Sequence, residues 1–305
     1  MKPLSVFLQN EDEAYRFLEQ IRWPDGPICP HCRESKVYRF KARPGKRRLL
    51  KCAGCRKQFS VTVGTIFEDS HIPLTKWLTA LHLFCASKKG MSAHQLHRML
   101  GLTYKSAWFM MHRIRHAITQ FRDVPKLTGI VEADETYVGG KVHGQGRGRG
   151  VANKTAVFAL VQRGGAVRSF TMPRVTAKNL KTLIRENVDR QAQLMTDSFK
   201  LYRGLHKEFA SHETVNRAAK EYVRGSAHVN TAEGYFSLLK RGIIGTYHHV
   251  GSHHLHRYLA EFDFRYNARK MNDAERTLLA VKNTNGKRLE YKWPNGGGAN
   301  ALPTF

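Results

Sequence analysis

Two sets of residues in this chain have the types and spacing of chemical sites. Asp134, Asp197 and Glu233 are three acids in a chain that holds 24 Asp and Glu against 51 Lys and Arg. Asp134 lies in the alternating run Val131-Glu-Ala-Asp134-Glu-Thr-Tyr-Val138, and Asp197 ends the apolar run Leu194-Met-Thr-Asp197. If the two runs form adjacent parallel strands, their ends bring both carboxylates to one sheet edge, where a divalent cation relieves their repulsion. Oxygen ligands and a phosphate substrate favour Mg²⁺ or Mn²⁺ there. Glu233 follows Asp197 after 35 intervening residues and opens a segment with helical periodicity. Phe236 and Leu239 on that helix can pack on the sheet and direct Glu233 toward the aspartates. Lys240, two turns further on, is placed to grip a phosphate. Glu132 and Glu135 flank Asp134 and are expected to point to the opposite face and pair with nearby Arg or Lys.

The second set is Cys29-Pro-His-Cys32 and Cys52-Ala-Gly-Cys55, two C-x2-C knuckles with 19 residues between them. Four thiolates so spaced can close a tetrahedron round Zn²⁺, and with every position taken by sulfur the metal is structural. His31 is a bystander inside the first knuckle. The fifth cysteine, Cys85, sits in the apolar stretch LTALHLFCAS and reads as a core residue.

These residues need elements to hold them. A short helix over Glu11–Ile21 leads in. The segment between the knuckles alternates around a Pro-Gly turn and predicts a hairpin; from Arg33 to Lys57 it carries eleven Lys or Arg and one acid, so that Arg47 and Arg48 are candidate phosphate contacts. A helix over Leu74–Ala86 is followed by a helix-turn-helix pattern. Ser92 caps a helix with Leu96, Met99 and Leu100 on its apolar side, Gly101 turns, and Thr103 caps a second helix with Ala107, Met110, Met111, Ile114 and Ile118 inside. That layout puts Tyr104, Lys105, Ser106 and Trp108 near the start of a recognition helix. After residue 123 the period becomes two: three strands, a helix, a fourth strand ending in Asp197 and later helices predict an α/β domain with a mixed sheet.

The glycine-rich stretch Lys141 to Gly150 offers Arg147 and Arg149 to a phosphate backbone. It is no nucleotide-binding loop, since no Gly-Lys-Ser/Thr ends it. The histidines between Tyr247 and Arg257 are expected at the surface or facing DNA, and Arg241, Arg265 and Arg269 are further phosphate contacts. The domain division expected is a helical lead (1–22), a zinc ribbon (23–65), helix-turn-helix-like helices (66–122), a catalytic domain (123–270) and a C-terminal tail (271–305), loose after Asn285.

Composition narrows the partner. The 305 residues carry a formal charge of +27 with 41% hydrophobic residues, which excludes low-complexity and disordered classes and makes nucleic acid the first polyanion to consider. No run approaches a membrane span and the N-terminus shows no secretory signal, so the expectation is a cytoplasmic, nucleoid-associated protein with no membrane partner.

The motifs ICPHC, KCAGC, VEADETYVGG, HVNTAEGYFSLLKRGIIGTYHHV and YLAEFDFRYNAR together resemble bacterial insertion-sequence transposases with an N-terminal zinc ribbon, over roughly residues 10 to 270. Asp134, Asp197, Glu233 and Lys240 resemble the catalytic set of DDE transposases. The resemblance implies a ribonuclease H-like catalytic domain, Mg²⁺ or Mn²⁺ held by the three acids, cleavage at element ends, strand transfer into target DNA, and a homodimer or higher oligomer on DNA. The third catalytic position in such proteins is Glu or Asn. Spacing and charge favour Glu233 here, with Asn230 assisting or capping the helix. Two other readings fit parts of the sequence: a zinc-ribbon transcription regulator without catalysis, and a ribonuclease H-like nuclease that cuts without rejoining.

Overall fold

The computed structural model describes residues 9–41, 48–119, 124–139 and 154–290. Helix α1 (Glu11–Arg22) is capped by Asn10, carries acids in its first turn and buries Ala14, Phe17 and Leu18. The charge order complements the helix dipole. A three-stranded antiparallel ribbon follows: β1 (Val37–Arg39), β2 (Leu50–Cys52) and β3 (Gln58–Phe59). Helix α2 (Leu74–Ala86) then leads to α3 (Ala93–Leu100) and α4 (Tyr104–Ile118).

The helix pair forms as its caps dictate. The Ser92 side chain accepts from Gln95 N, Gly101 turns at φ 59°, and the Thr103 side chain accepts from Ser106 N. Five apolar residues expected inside α4 are all buried; Met99 of α3, expected on the apolar side, is 52% exposed. Helix α3 is short and only Leu96 among its residues is fully inside, with Leu100 partly buried against the same core.

The second layer system is a five-stranded mixed sheet of β4 (Ile130–Val138), β5 (Thr155–Gln162), β6 (Val167–Met172), β7 (Gln193–Asp197) and β8 (Ser211–Val215), in spatial order β6-β5-β4-β7-β8. β4–β5 and β5–β6 are antiparallel, β4–β7 and β7–β8 parallel. Helix α5 (Ala177–Asn187) makes the crossover to β7 and packs Leu180 and Ile184 against Val131, Ala133 and Leu194 on one face. Helices α6 (Asn230–Gly242) and α7 (Leu255–Asn267) cover the other, meeting Val138, Val157 and Val161. This is the α/β architecture with a mixed sheet and helices that the sequence predicts. β8 is an added edge strand, in a stretch between Asp197 and Asn230 where no local pattern predicts an element.

Helix α7 belongs to both halves. Its Leu259 and Phe262 join the sheet-side core, whereas Phe264 joins the core built by α1, α2 and α4. Where the halves meet, the fully buried Glu261 carboxylate accepts from Arg115 at 2.7 Å, Arg265 at 2.6 Å and the Tyr247 hydroxyl at 2.5 Å. Arg265 also donates to the Phe84 and Ser87 carbonyls. It is therefore an internal strut and not a phosphate contact. Gly90 (φ 97°) passes so close that a Cβ there would stand 2.2 Å from the Tyr247 oxygen.

The segment beyond residue 271 also differs from a tail. Helix α8 (Asp273–Lys282) starts on an Asn272–Glu275 capping box and packs on α2, burying Ala280 and Val281 in the first core. Beyond it, Lys287 donates to the Ala117 and Thr119 carbonyls, and the Leu289 carbonyl accepts from Arg113. The apolar face of α8 finds its partner some 200 residues earlier in the chain, a distance local periodicity does not encode.

Candidate active site and metal centre

The parallel β4–β7 ladder brings the two aspartates near one another. β4 and β7 pair Ile130 with Gln193, Val131 with Leu194 and Glu132 with Met195; Asp134 and Asp197 lie two residues beyond the last of these pairs. Asp134 lies in the cleft walled by α6. Burial pushes the Asp134 carboxyl up to about 7 against the pull of Arg217, and Glu135 and Asp197 add to the rise. Its Oδ1 accepts from Glu135 N at 2.9 Å, and Asp197 Oδ1 accepts from Phe199 N at 3.0 Å.

Helix α6 brings the third acid. Its exposed stripe, Glu233, Ser237, Lys240 and Arg241, walls an open cleft of about 670 Å³ whose other side is Asp134, Glu135, Thr136 and Arg217. Arg217 bridges the walls: its Nη2 is 2.6 Å from Glu233 and 3.5 Å from Asp134. Asp197 is beside Asp134 but outside the cleft lining, and Asn230 is exposed and likewise outside it. Nor does Asn230 cap α6; Val229 occupies the cap position, with no side-chain acceptor.

The acceptor for that helix start is Glu132. Its carboxylate is fully buried and takes Thr231 N at 2.7 Å, Ala232 N at 2.9 Å and the Thr231 hydroxyl at 2.8 Å. Arg163 pairs with it at 2.6 Å and His228 at 3.2 Å. This corrects the expectation that Glu132 turns away from Asp134. Side chains two apart on a strand share a face, so Glu132 and Asp134 both face α6 and only Glu135 turns away. Glu135 accepts from the Tyr202 hydroxyl at 2.5 Å on the far side. One strand thus supplies the Asp134 carboxylate and also the anchor for the helix that carries Glu233.

Whether a hard cation suits this cleft is a matter of its donors. Asp134, Asp197 and Glu233 are carboxylates, and the position between Asp134 and Glu233 already favours positive charge, since a guanidinium bridges them. By type these carboxylate donors suit Mg²⁺ or Mn²⁺, but the three do not gather within 4.8 Å of one another as the ribbon cysteines do. Glu132 pairs with an arginine as expected, but its place at the site and its hold on α6 are not foreseen, and Arg217 is absent from the expected site residues. Glu132 was legible from strand parity, whereas Arg217, the first residue of a one-turn 3₁₀ helix after β8, carries no local signal.

In the ribbon, the Cys29 and Cys55 sulfurs are 3.7 Å apart and those of Cys32 and Cys52 are 3.4 Å apart. A tetrahedron with Zn–S of about 2.3 Å has edges of about 3.8 Å. All four sulfurs lie within 4.8 Å of one another, the one group of three or more His, Cys, Asp or Glu ligands so close among the described residues. The cluster fits structural zinc. His31 is outside it and exposed, and Cys85 is buried, its thiol pushed up to about 12 by burial.

Of the candidate DNA contacts, Tyr104 is 45% exposed and stacks on His94 with ring centroids 4.2 Å apart. Lys105 is exposed; Ser106 is half-buried and accepts from the Thr103 hydroxyl. Arg48 lies 3.6 Å from Glu19, and Arg269 donates to the Gly165 and Tyr266 carbonyls. Arg47, Arg147 and Arg149 lie outside the described residues. The histidine run divides: His248, His249 and His253 are exposed, but His254 and His256 are half-buried. His254 packs 4.7 Å from the fully buried His112, and burial pulls His254 down to about 4 and His112 to about 2. These two are neutral packing groups of the helical seam. Among the described residues no helix is long and apolar enough to cross a membrane.

Comparison with known proteins agrees with this layout. Residues 9–58 match the transposase zinc-ribbon domain and residues 126–267 match the ISXO2-like transposase domain. A protein of Halobacterium salinarum, the "uncharacterized protein in transposable element ISH50", is 31% identical over 281 residues, 87% of this chain and 93% of its own. Among solved structures, a simian T-cell lymphotropic virus intasome complexed with PP2A regulatory subunit B56 gamma aligns at TM-score 0.31 and 15% identity, covering 64% of this chain and 69% of that one. The Mos1 transposase paired-end complex with left transposon end aligns at TM-score 0.21 and 12% identity, covering 69% and 80%. By its two matched domains and its relative of nearly equal length, the chain belongs to the insertion-sequence transposases that join a zinc ribbon to an ISXO2-like transposase domain.

Proposed function

We propose that this transposase cuts DNA strands at the ends of its element and joins the freed 3′-hydroxyls to target DNA. The observation that carries the reading is that Asp134 and Glu233 face one another across one cleft, bridged by Arg217, with Glu233 on a helix anchored by the Asp134 strand and Asp197 near Asp134 at the end of the adjacent parallel strand. Asp134, Asp197 and Glu233 would hold divalent metal, which supplies Lewis acidity to the attacking and leaving oxygens of an in-line displacement. Lys240 and Arg241 on the cleft wall hold the DNA backbone by its phosphates.

Around the cleft, Tyr104, Lys105 and Ser106 are proposed to meet the duplex from the start of α4, while Arg47, Arg48, Arg147 and Arg149 contact phosphates. Cys29, Cys32, Cys52 and Cys55 hold zinc as thiolates and so fix the ribbon. The domain division is proposed to follow the sequence segments, with residues 271–290 returning to the helical half. Two copies or more act together on paired ends, inside the cytoplasm.

The test is an end-labelled duplex carrying the element terminus, incubated with the zinc-loaded protein and Mg²⁺. Metal-dependent cleavage together with joined products is the expected result. Cleavage without joining would favour a nuclease, and binding without cleavage a regulator; either result contradicts the proposal.

A further inference from the structure

The Arg217 guanidinium occupies the oxygens that the proposed metal site needs. Its Nη2 lies 2.6 Å from Glu233 and 3.5 Å from Asp134. The turn that carries it is held firmly: Asn216 accepts from Ala219 N at 3.2 Å, the Glu221 carboxylate accepts from Asn216 N at 3.0 Å, and Lys220 sits at φ 60°. The backbone is therefore fixed while the side chain, 31% exposed, reaches across open cleft. A guanidinium does not give up its proton in a protein. The positive charge can be removed from these carboxylates only by moving the side chain.

We infer that Arg217 competes with the divalent cation for Glu233 and Asp134, and that it yields when a DNA phosphate in the cleft offers it another anion. The inference rests on the proposed metal site. Its physical basis is the sign of the interaction. A divalent ion and a guanidinium at the same two carboxylates repel each other, and each loses when the other gains. The cleft wall opposite, with Lys240 and Arg241, draws a phosphate backbone to within reach of the released guanidinium, which suits phosphate by its planar fork. Binding of the metal and binding of DNA are then positively coupled through one side chain, and coupling of this kind is reciprocal. The consequence is a site that loads tightly with metal once DNA is present, which limits hydrolysis in the absence of a substrate.

The experiment is titration of the zinc-loaded full chain with Mn²⁺, reading free Mn²⁺ by electron paramagnetic resonance. It compares the unaltered protein, Arg217→Ala, Arg217→Gln, Arg217→Lys and Asp134→Asn, each checked for folding by circular dichroism. Loss of the charge in Arg217→Ala and Arg217→Gln is expected to tighten Mn²⁺ binding about tenfold, the order expected for one neighbouring charge in a partly solvated cleft. Arg217→Lys keeps the charge and is expected to stay close to the unaltered protein. Adding a short duplex is expected to raise the affinity of the unaltered protein toward that of Arg217→Ala. Equal or weaker Mn²⁺ binding by the Ala and Gln variants would overturn the competition, and a gap unchanged by DNA would overturn the exchange. If Asp134→Asn bound Mn²⁺ as well as the unaltered protein, or if none of the forms bound it, the metal site itself would be wrong and the inference would fall with it. That outcome is distinguishable, because it does not depend on residue 217.

Discussion

Glu132 is expected to be the residue whose loss uncouples the two walls of the cleft. Glu132→Ala removes the acceptor of two backbone N–H groups at the start of α6 and leaves Arg163, whose side chain is 20% exposed, without its partner. Breaking a buried ion pair costs about 3–5 kcal/mol, and losing a helix cap about 1 kcal/mol. The two overlap, and the partial exposure of Arg163 moderates the first, so about 3–4 kcal/mol is expected. Glu132→Gln keeps the shape and one carbonyl acceptor but loses the charge and turns its NH2 toward either the α6 N–H groups or Arg163 and Thr231; it is expected to cost less than Glu132→Ala. Urea unfolding of the zinc-loaded protein reads the stability. Strand cleavage under conditions where the variant is still folded reads the position of Glu233. Cleavage is expected to fall at least tenfold in Glu132→Ala with DNA affinity unchanged. A stability loss under about 1 kcal/mol, or full cleavage by the folded Ala variant, would refute the anchoring role.

Three further outcomes follow from the packing. Gly90→Ala meets both a Cβ contact of 2.2 Å to Tyr247 and φ 97°, whereas Gly101→Ala meets only φ 59° with nothing within 4 Å. Thermal unfolding is expected to show a loss of about 2–3 kcal/mol for the first and about 1 kcal/mol for the second, and equal losses would contradict the seam geometry. Cys52→Ser, at a fully buried ligand position, is expected to abolish stoichiometric zinc and unfold the ribbon; a colorimetric zinc assay and proteolysis of the N-terminal segment check this. Asp263, buried against the Tyr235 hydroxyl and Ser169, has its carboxyl pushed up by burial from 3.8 to about 7. The native state then binds more protons than the unfolded chain between those values, so this residue makes stability fall as pH rises from about 4 to about 7. Asp263→Asn is expected to flatten that part of the pH–stability curve, and an unchanged slope would count against it.

Much of the site was legible because its signals are local. C-x2-C spacing, the Ser92 and Thr103 caps, the Gly101 turn and the strand context of Asp134 and Asp197 are each set within a few residues. What was not legible depends on partners far along the chain. β8, Ser-His-Glu-Thr-Val, is half-exposed at the sheet edge and lacks apolar alternation; it is a strand because β7 offers it a parallel ladder. Arg217 and the return of α8 are likewise decided by tertiary neighbours. Glu132 is a different case: the alternation rule gives its face correctly, and a buried acid on the face of the site marks the anchor of the next element.

The most direct test replaces the proposed metal by Fe²⁺ and supplies peroxide, so that hydroxyl radicals form where the ion sits and cut the chain nearby. With the zinc ribbon loaded, backbone cuts are expected at three separated places, around Asp134, Asp197 and Glu233, all suppressed together by excess Mg²⁺. Cuts near only one of the three, or at sites indifferent to Mg²⁺, would contradict a shared metal centre.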